Sequence, residues 1–217
     1  MSDSAEGVEA ALATLATRYC LSVGQVERLA RLLSLVEADP RAPTTVRSAE
    51  RAVHAHVADS LAALELEVVC SAATIADLGT GAGFPGVVLA LALERSEVAL
   101  VESQTRKCAF LTDVLAHVGV ANARVVCARA EEWREGVCRQ DVVVARALAG
   151  QAVVLEYAAP LLRVGGTLLD WRGKRIGSEE DAAMRAAEEL GLRRAEVRRM
   201  EPYEGSREHH LHVYLKV

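Results

Sequence analysis

The chain is poor in lysine, in aromatic residues and in proline. Its three lysines, Lys107, Lys174 and Lys216, stand against 22 arginines, a skew that a GC-rich genome explains without any function. A net charge of −5 excludes a protein coated in positive charge, so any attraction for nucleic acid must come from local clusters. No apolar run reaches the ~18 residues a membrane span needs. The opening Met1-Ser2-Asp3-Ser4-Ala5-Glu6 lacks the basic-then-apolar order of a secretory signal. A soluble, cytoplasmic protein is expected. The five cysteines, Cys20, Cys70, Cys108, Cys127 and Cys138, lie far apart without a Cys-x-x-Cys pair. That pattern indicates neither a disulfide framework nor a zinc ribbon, and buried thiols in a reducing compartment are expected. No metal is expected either, because His209, His210 and His212 have no cysteine or carboxylate at ligand spacing. They read as a cluster at a strand edge, and His54 and His56 as satisfying local hydrogen bonds. With aromatics at 4%, Trp133 and Trp171 are expected to serve a core or loop before they serve a base.

What is abundant is aliphatic. Hydrophobic residues make up 51% of the 217 positions, enough for the full core of one compact unit. Residues 1–70 read as a helical amino-terminal cap. Gly7 to Tyr19 is rich in alanine and leucine, and Ser22-x-x-Gln25 is a capping box opening a helix with Val26, Leu29, Leu33 and Val36 at helical spacing. Asp39-Pro40 ends it. Ser48 is placed to cap a third helix carrying Val53, Val57, Leu61 and Leu64 on one face. Residues 71–217 alternate apolar strand with helix, which implies a parallel sheet covered on both faces. Strands are expected at 75–78, 98–102, 124–128, 141–145 and 167–171. The runs 194–200 and 210–217 have no helix between them and suggest an antiparallel hairpin closing the sheet.

The stretch Asp77-Leu78-Gly79-Thr80-Gly81-Ala82-Gly83-Phe84-Pro85-Gly86 organises the rest. It joins the first strand to the helix beginning near Val87, and its glycines permit positive φ and close approach of a ligand to bare backbone. A turn at a strand's carboxyl end and a helix's amino end presents free amides to a polar group. It reads as a cofactor seat. Gly81-x-Gly83-x-x-Gly86, with Glu102 about twenty residues on, satisfies the dinucleotide fingerprint. The parse Asp77-x-Gly79-x-Gly81-x-Gly83 instead resembles the first motif of S-adenosylmethionine-dependent methyltransferases. It also accounts for Gly79, which would otherwise sit unexplained in a buried strand. Asp77, Gly79, Glu102, Arg129-Ala130-Glu131, Arg146 and Arg172 all fall at carboxyl ends of expected strands, where α/β sheets bind ligands.

Taken together, Asp-x-Gly-x-Gly-x-Gly-Phe-Pro-Gly at 77–86, Glu-Ser-x-x-Arg-Lys-x-x-Phe-Leu at 102–111, Arg-Ala-Glu-Glu at 129–132 and Ala-Arg-Ala at 145–147 resemble the glucose-inhibited division protein B family. Members are bacterial guanine-N7 methyltransferases of small-subunit (16S) ribosomal RNA. His56-Val57-Ala58-Asp59-Ser60 is similar to a segment of the same family. The resemblance implies a Rossmann-like class I fold, α/β, with a mainly parallel seven-stranded sheet and S-adenosylmethionine as cofactor. It puts Asp77, Gly79, Thr80, Gly81, Gly83, Phe84, Glu102, Ala130, Glu131 and Arg146 at that cofactor. Arg106, Lys107, Arg129, Arg172, Lys174 and Arg207 fall where basic residues face RNA. No catalytic acid or base is assigned. The expected partner is 16S ribosomal RNA in a small-subunit particle, met by a monomer. Two other readings stand beside this one: an NAD-dependent oxidoreductase, and a non-catalytic ribosome-assembly factor with a vestigial cofactor site.

Overall fold

The amino-terminal third is helical because its apolar residues recur every three or four positions and local chemistry marks the ends. A computed structural model describes residues 2–206 and 208–217. Helix α1 spans Ser2–Tyr19 and α2 spans Val23–Ala38. The Ser22 hydroxyl accepts from the Gln25 amide at 3.3 Å, and the Gln25 side chain accepts from the Ser22 amide at 2.8 Å, so both halves of the capping box form. The third helix is broken where continuity was expected. It runs as α-turns at Ala49–Ala52, widens to a π-turn at Val53–Ala58, returns to α at Asp59–Leu61 and tightens to 3-10 geometry at Ala62–Glu65. Ser48 precedes it without a side-chain capping bond.

The sheet has seven strands in the order β3-β2-β1-β4-β5-β7-β6. Strands β1 (Thr74–Leu78), β2 (Glu97–Glu102), β3 (Ala123–Cys127), β4 (Gln140–Arg146) and β5 (Leu162–Arg172) are mutually parallel. Strand β7 (His210–Lys216) lies between β5 and β6 (Leu192–Arg199), antiparallel to both. The expected hairpin is present, and its return strand is an interior one. His212 is therefore 1% exposed rather than at a strand edge, a correction that follows from β7 being paired on both sides.

Each sheet face is buried. Ile75, Val98, Leu100, Val142, Val144 and Leu169 pack under the amino-terminal helices, α3 (Gly86–Ala92) and α4 (Thr105–Val118). The cap and this face share one continuous core. Ala76, Leu78, Val143, Ala145, Leu168 and Tyr214 pack under α5 (Gln151–Ala158) and α6 (Gly177–Glu189). Between β3 and β4 the chain makes only two 3-10 turns, Ala130–Glu132 and Arg134–Gly136, and Trp133 fills the space at 3% exposure. Trp171 is buried as well.

The cysteines depart from expectation. Cys108 and Cys127 form a disulfide, and Cys20, Cys70 and Cys138 are exposed. Spacing in sequence hid the pair because it is made by the α/β turn, which returns the start of α4 to the end of the neighbouring strand.

Candidate active site

The glycine turn leaves β1 with Gly79, Gly81 and Gly83 at φ +65°, +57° and +96°, a region costly for side chains carrying a Cβ. A Cβ at Gly81 would meet nothing nearer than the Gly79 carbonyl at 3.7 Å, so the space above this backbone is open. Asp77 is buried, and one of its oxygens accepts from the Gly86 amide at 2.7 Å. Its other oxygen, and the Thr80 hydroxyl, are buried without a partner among the described residues. Burial pushes the Asp77 carboxyl up to about 6, against the pull of the Thr80 hydroxyl, which lies near it without hydrogen-bond geometry, the Gly86 amide and the Arg146 charge. An unpaired buried acceptor is costly and invites a donor.

The next strand end completes the seat. Glu102, buried at the end of β2, accepts from the Gly81 amide at 3.3 Å through one oxygen and from the Gln104 amide at 2.9 Å through the other. Lys107 Nζ lies 3.8 Å from it. A carboxylate offers about four lone-pair sites, so two remain for hydroxyl donors. Open glycine backbone, an unpaired Asp77 oxygen and a fixed carboxylate together fit a nucleoside-bearing cation such as S-adenosylmethionine.

A second set of side chains closes the same end of the sheet from the cap. Arg146, the last residue of β4, donates to Asp59 at 2.9 Å and to the Ala55 carbonyl at 3.2 Å. Asp59 is buried, its other oxygen lies 3.1 Å from His209 Nδ1, and its carbonyl accepts from the Trp171 indole at 3.2 Å. His56 sits 2.9 Å from the Thr44 hydroxyl and 3.2 Å from Arg146, and stacks on Phe84 with ring centres 4.5 Å apart. The Arg146 guanidinium lies 5.8 Å over the same Phe84 ring. Burial, then the Arg146 charge, hold His56 down at about 4, so it is neutral near pH 7. His54 packs on Tyr203 instead of making the local bonds expected of it.

The structure thus brings the Gly79–Phe84 turn together with Glu102 and Lys107, and brings Phe84 together with Arg146 and the cap. Ala130 and Glu131 follow β3 on the first 3-10 turn. Arg106 and Arg129 are exposed near the amino end of α4 and beyond β3, and Lys174 is exposed past β5. Arg172 is half-buried, its guanidinium on Asp170 at 2.7 Å. Arg207 lies outside the described residues. No group of three His, Cys, Asp or Glu side chains suited to a metal occurs among the described residues. No helix among them is long and apolar enough to cross a membrane.

Asp59, noted only within the family-like segment 56–60, and His209, read as part of a strand-edge cluster, were given no place at the site by the sequence reading. Their signal was weak: an aspartate between Val57 and Leu61 of the apolar stripe but off its face, and a histidine before the last strand, 150 residues apart.

An open β/α sheet with a glycine turn after β1, an acid ending β2 and an antiparallel last strand defines a class I, Rossmann-like methyltransferase. Solved structures share this fold. A SAM-dependent methyltransferase from Aquifex aeolicus matches with TM-score 0.61 at 16% identity, covering 87% of this chain and 98% of that one. Aeropyrum pernix fibrillarin, in complex with natively bound S-adenosyl-L-methionine, matches with TM-score 0.58 at 21% identity over 73% of each. Residues 25–210 match the family described as rRNA small subunit methyltransferase G, and the chain belongs to that family. Relatives named ribosomal RNA small subunit methyltransferase G include that of Thermotoga neapolitana, 35% identical over 81% of this chain and 76% of its own length. That of Carboxydothermus hydrogenoformans is 33% identical over 88% and 83%. That of Syntrophomonas wolfei is 40% identical over 63% and 64%, so the match spans less than two thirds of that relative.

Proposed function

We propose that this methyltransferase moves the methyl group of S-adenosylmethionine to N7 of a guanine in 16S ribosomal RNA, as a cytoplasmic monomer acting on a small-subunit particle. The observation that carries the cofactor reading is the Gly81–Glu102 contact. It locks the ribose-binding acid to the glycine turn in one rigid unit.

Bound S-adenosylmethionine supplies a sulfonium-activated methyl group. Guanine N7 carries an in-plane lone pair and no proton, so the protein need not remove one. Its task is to align nucleophile and methyl and to exclude water. Glu102 and the open backbone at Gly81 would hold the nucleoside, and the unpaired Asp77 oxygen would accept from the ammonium of the methionine part. Arg146 and His56, fixed around Phe84 by Asp59 and Thr44, would form the wall nearest the base. A neutral His56 is a hydrogen-bonding group there, with no acid–base role required.

The basic residues suggest a small RNA footprint. Arg175 and Arg194 are paired with Glu180, Arg198 with Glu196, and Arg199 with Glu201. Those charges are largely spent within the protein, leaving Arg106, Arg129 and Lys174 at the rim. So little positive charge holds naked RNA poorly at physiological salt, which favours a preformed ribosomal surface. Calorimetry with S-adenosylmethionine and with NAD separately tests the cofactor reading. Binding of S-adenosylmethionine alone is expected, and binding of NAD alone would turn the assignment to the oxidoreductase.

A further inference from the structure

The Cys108–Cys127 disulfide has no part in methyl transfer as derived above, yet it sits on the frame of the cofactor seat. Its Cα atoms are 5.8 Å apart and it spans 19 residues of sequence. Cys127 is the last residue of β3 and stands in register with Glu102, the last residue of β2. Cys108 lies on the first turn of α4, and its Sγ is 3.2 Å from the Glu102 carbonyl. The bond therefore ties the end of β3, itself paired to the end of β2, to the start of the helix that follows Glu102. Three residues beyond Cys127 the chain enters the 3-10 turn carrying Ala130 and Glu131, which the family resemblance puts at the cofactor.

Access is asymmetric. Cys127 is exposed and Cys108 is buried. The Cys108 sulfur lies on the first turn of α4, enclosed beneath the end of β2. An exposed attacking sulfur with a buried resolving sulfur beside it is the arrangement of a reversible pair.

We propose that Cys108 and Cys127 form a thiol–disulfide site, oxidised by low-molecular-weight disulfides, whose state sets the affinity of the cofactor seat. The Cys127 thiolate attacks one sulfur of the small disulfide, forming a mixed disulfide and releasing one small thiolate. The Cys108 thiolate then attacks the Cys127 sulfur, forming the Cys108–Cys127 bond and releasing the second. Two protein thiols are oxidised, one small disulfide is reduced to two thiols, and the two protons pass to them. A dithiol reverses the sequence. In the bonded state the segment from Ala128 to Glu131 is anchored against α4. In the dithiol state it must be ordered by the ligand.

This inference rests on the reading of Glu102, Ala130 and Glu131 as cofactor contacts. The full chain is equilibrated in glutathione disulfide or in reduced dithiothreitol, alkylated and digested to read the 108–127 linkage by mass, and titrated with S-adenosylhomocysteine. Reduction is expected to weaken binding about five- to tenfold, the size of ordering roughly one residue's backbone. Cys127→Ser should bind as the reduced protein does in both buffers, and a Cys20→Ser, Cys70→Ser, Cys138→Ser triple variant should keep the response. Equal affinity in the two buffers, a linkage that never forms, or a response that survives in Cys127→Ser would overturn the proposal. Absence of binding in both buffers would remove the cofactor reading itself, and this inference with it.

Discussion

Replacing Asp59 with alanine strikes the one carboxylate on which the cap, β4 and the segment before β7 converge. The side chain is 5% exposed and receives Arg146, itself 17% exposed, at 2.9 Å. Removing one partner of a fully buried pair costs roughly 3–5 kcal/mol, because the other charge is left uncompensated. Arg146 keeps some contact with water and keeps the Ala55 carbonyl, which puts the cost at the lower end, about 3 kcal/mol. The His209 contact adds less, since that ring is 29% exposed and screened pairs contribute little. For a domain of this size each kcal/mol moves Tm by about 2–4 °C, so a fall of roughly 6–12 °C is expected. The assay is urea and thermal unfolding of Asp59→Ala, Arg146→Leu and the double variant. Because the penalty lies in the orphaned guanidinium, the double variant should be more stable than the sum of single effects allows, by at least about 1 kcal/mol. A loss below about 1 kcal/mol for Asp59→Ala, or simple additivity, would refute the reasoning.

Three further outcomes follow from the same geometry. Glu102→Ala removes the carboxylate expected on the ribose hydroxyls and should weaken S-adenosylmethionine binding at least about tenfold, two charge-assisted bonds being worth roughly 1.5–3 kcal/mol each; unchanged affinity in calorimetry would take Glu102 out of the site. Gly86→Ala would drive a Cβ into Leu100 and to 2.6 Å from the Asp77 oxygen that Gly86 now holds, so thermal unfolding should show a loss of about 1–3 kcal/mol from overpacking, and an unchanged Tm would contradict that packing. His212 is held down to about 4 by burial, so the fold prefers it neutral. Its stabilising contribution is present above the unfolded value near 6.5 and is lost as pH falls from there towards 4, up to about 3 kcal/mol. Asp77 and Asp170, both raised to about 6 by burial, act in the opposite sense, adding stability at low pH that is lost as pH rises through 6. The His212 share is read as the difference between wild type and His212→Gln in chemical unfolding from pH 7 to 4, where the variant should lose less. A parallel fall would exclude His212.

The parallel strands were legible because strands buried on both faces read as unbroken apolar runs, as at Val98–Val101 and Val142–Ala145. The α2 start was legible because a capping box is a contact three residues long. What escaped were features made by distant chain segments. The π-turn at Val53–Ala58 adds a residue to a helix whose apolar spacing looks continuous, and tertiary packing around His56 and Asp59 decides it. The Asp59–His209 contact and the Cys108–Cys127 bond exist only once the sheet order is set. His212 looked peripheral because two adjacent runs declare a hairpin without declaring which strand lies inside. That the glycine turn and Glu102 lie side by side was readable since both fall at carboxyl ends of neighbouring parallel strands, where α/β sheets bind ligands. The pairing of Arg146 with Asp59, by contrast, spans 87 residues and left no local mark.

The central claim is methyl transfer to N7 of a guanine in small-subunit ribosomal RNA. It is tested most directly by incubating the protein with methyl-labelled S-adenosylmethionine and unmethylated small subunits, protein-free 16S RNA or a hairpin containing the target guanine. The modified base is then mapped by borohydride reduction and aniline cleavage, which cut at 7-methylguanosine. The account predicts label at one guanine N7, transferred fastest to the small subunit and slowest to the hairpin. Label on another atom or base, or no transfer to any of the three by a protein that binds S-adenosylmethionine, would contradict it.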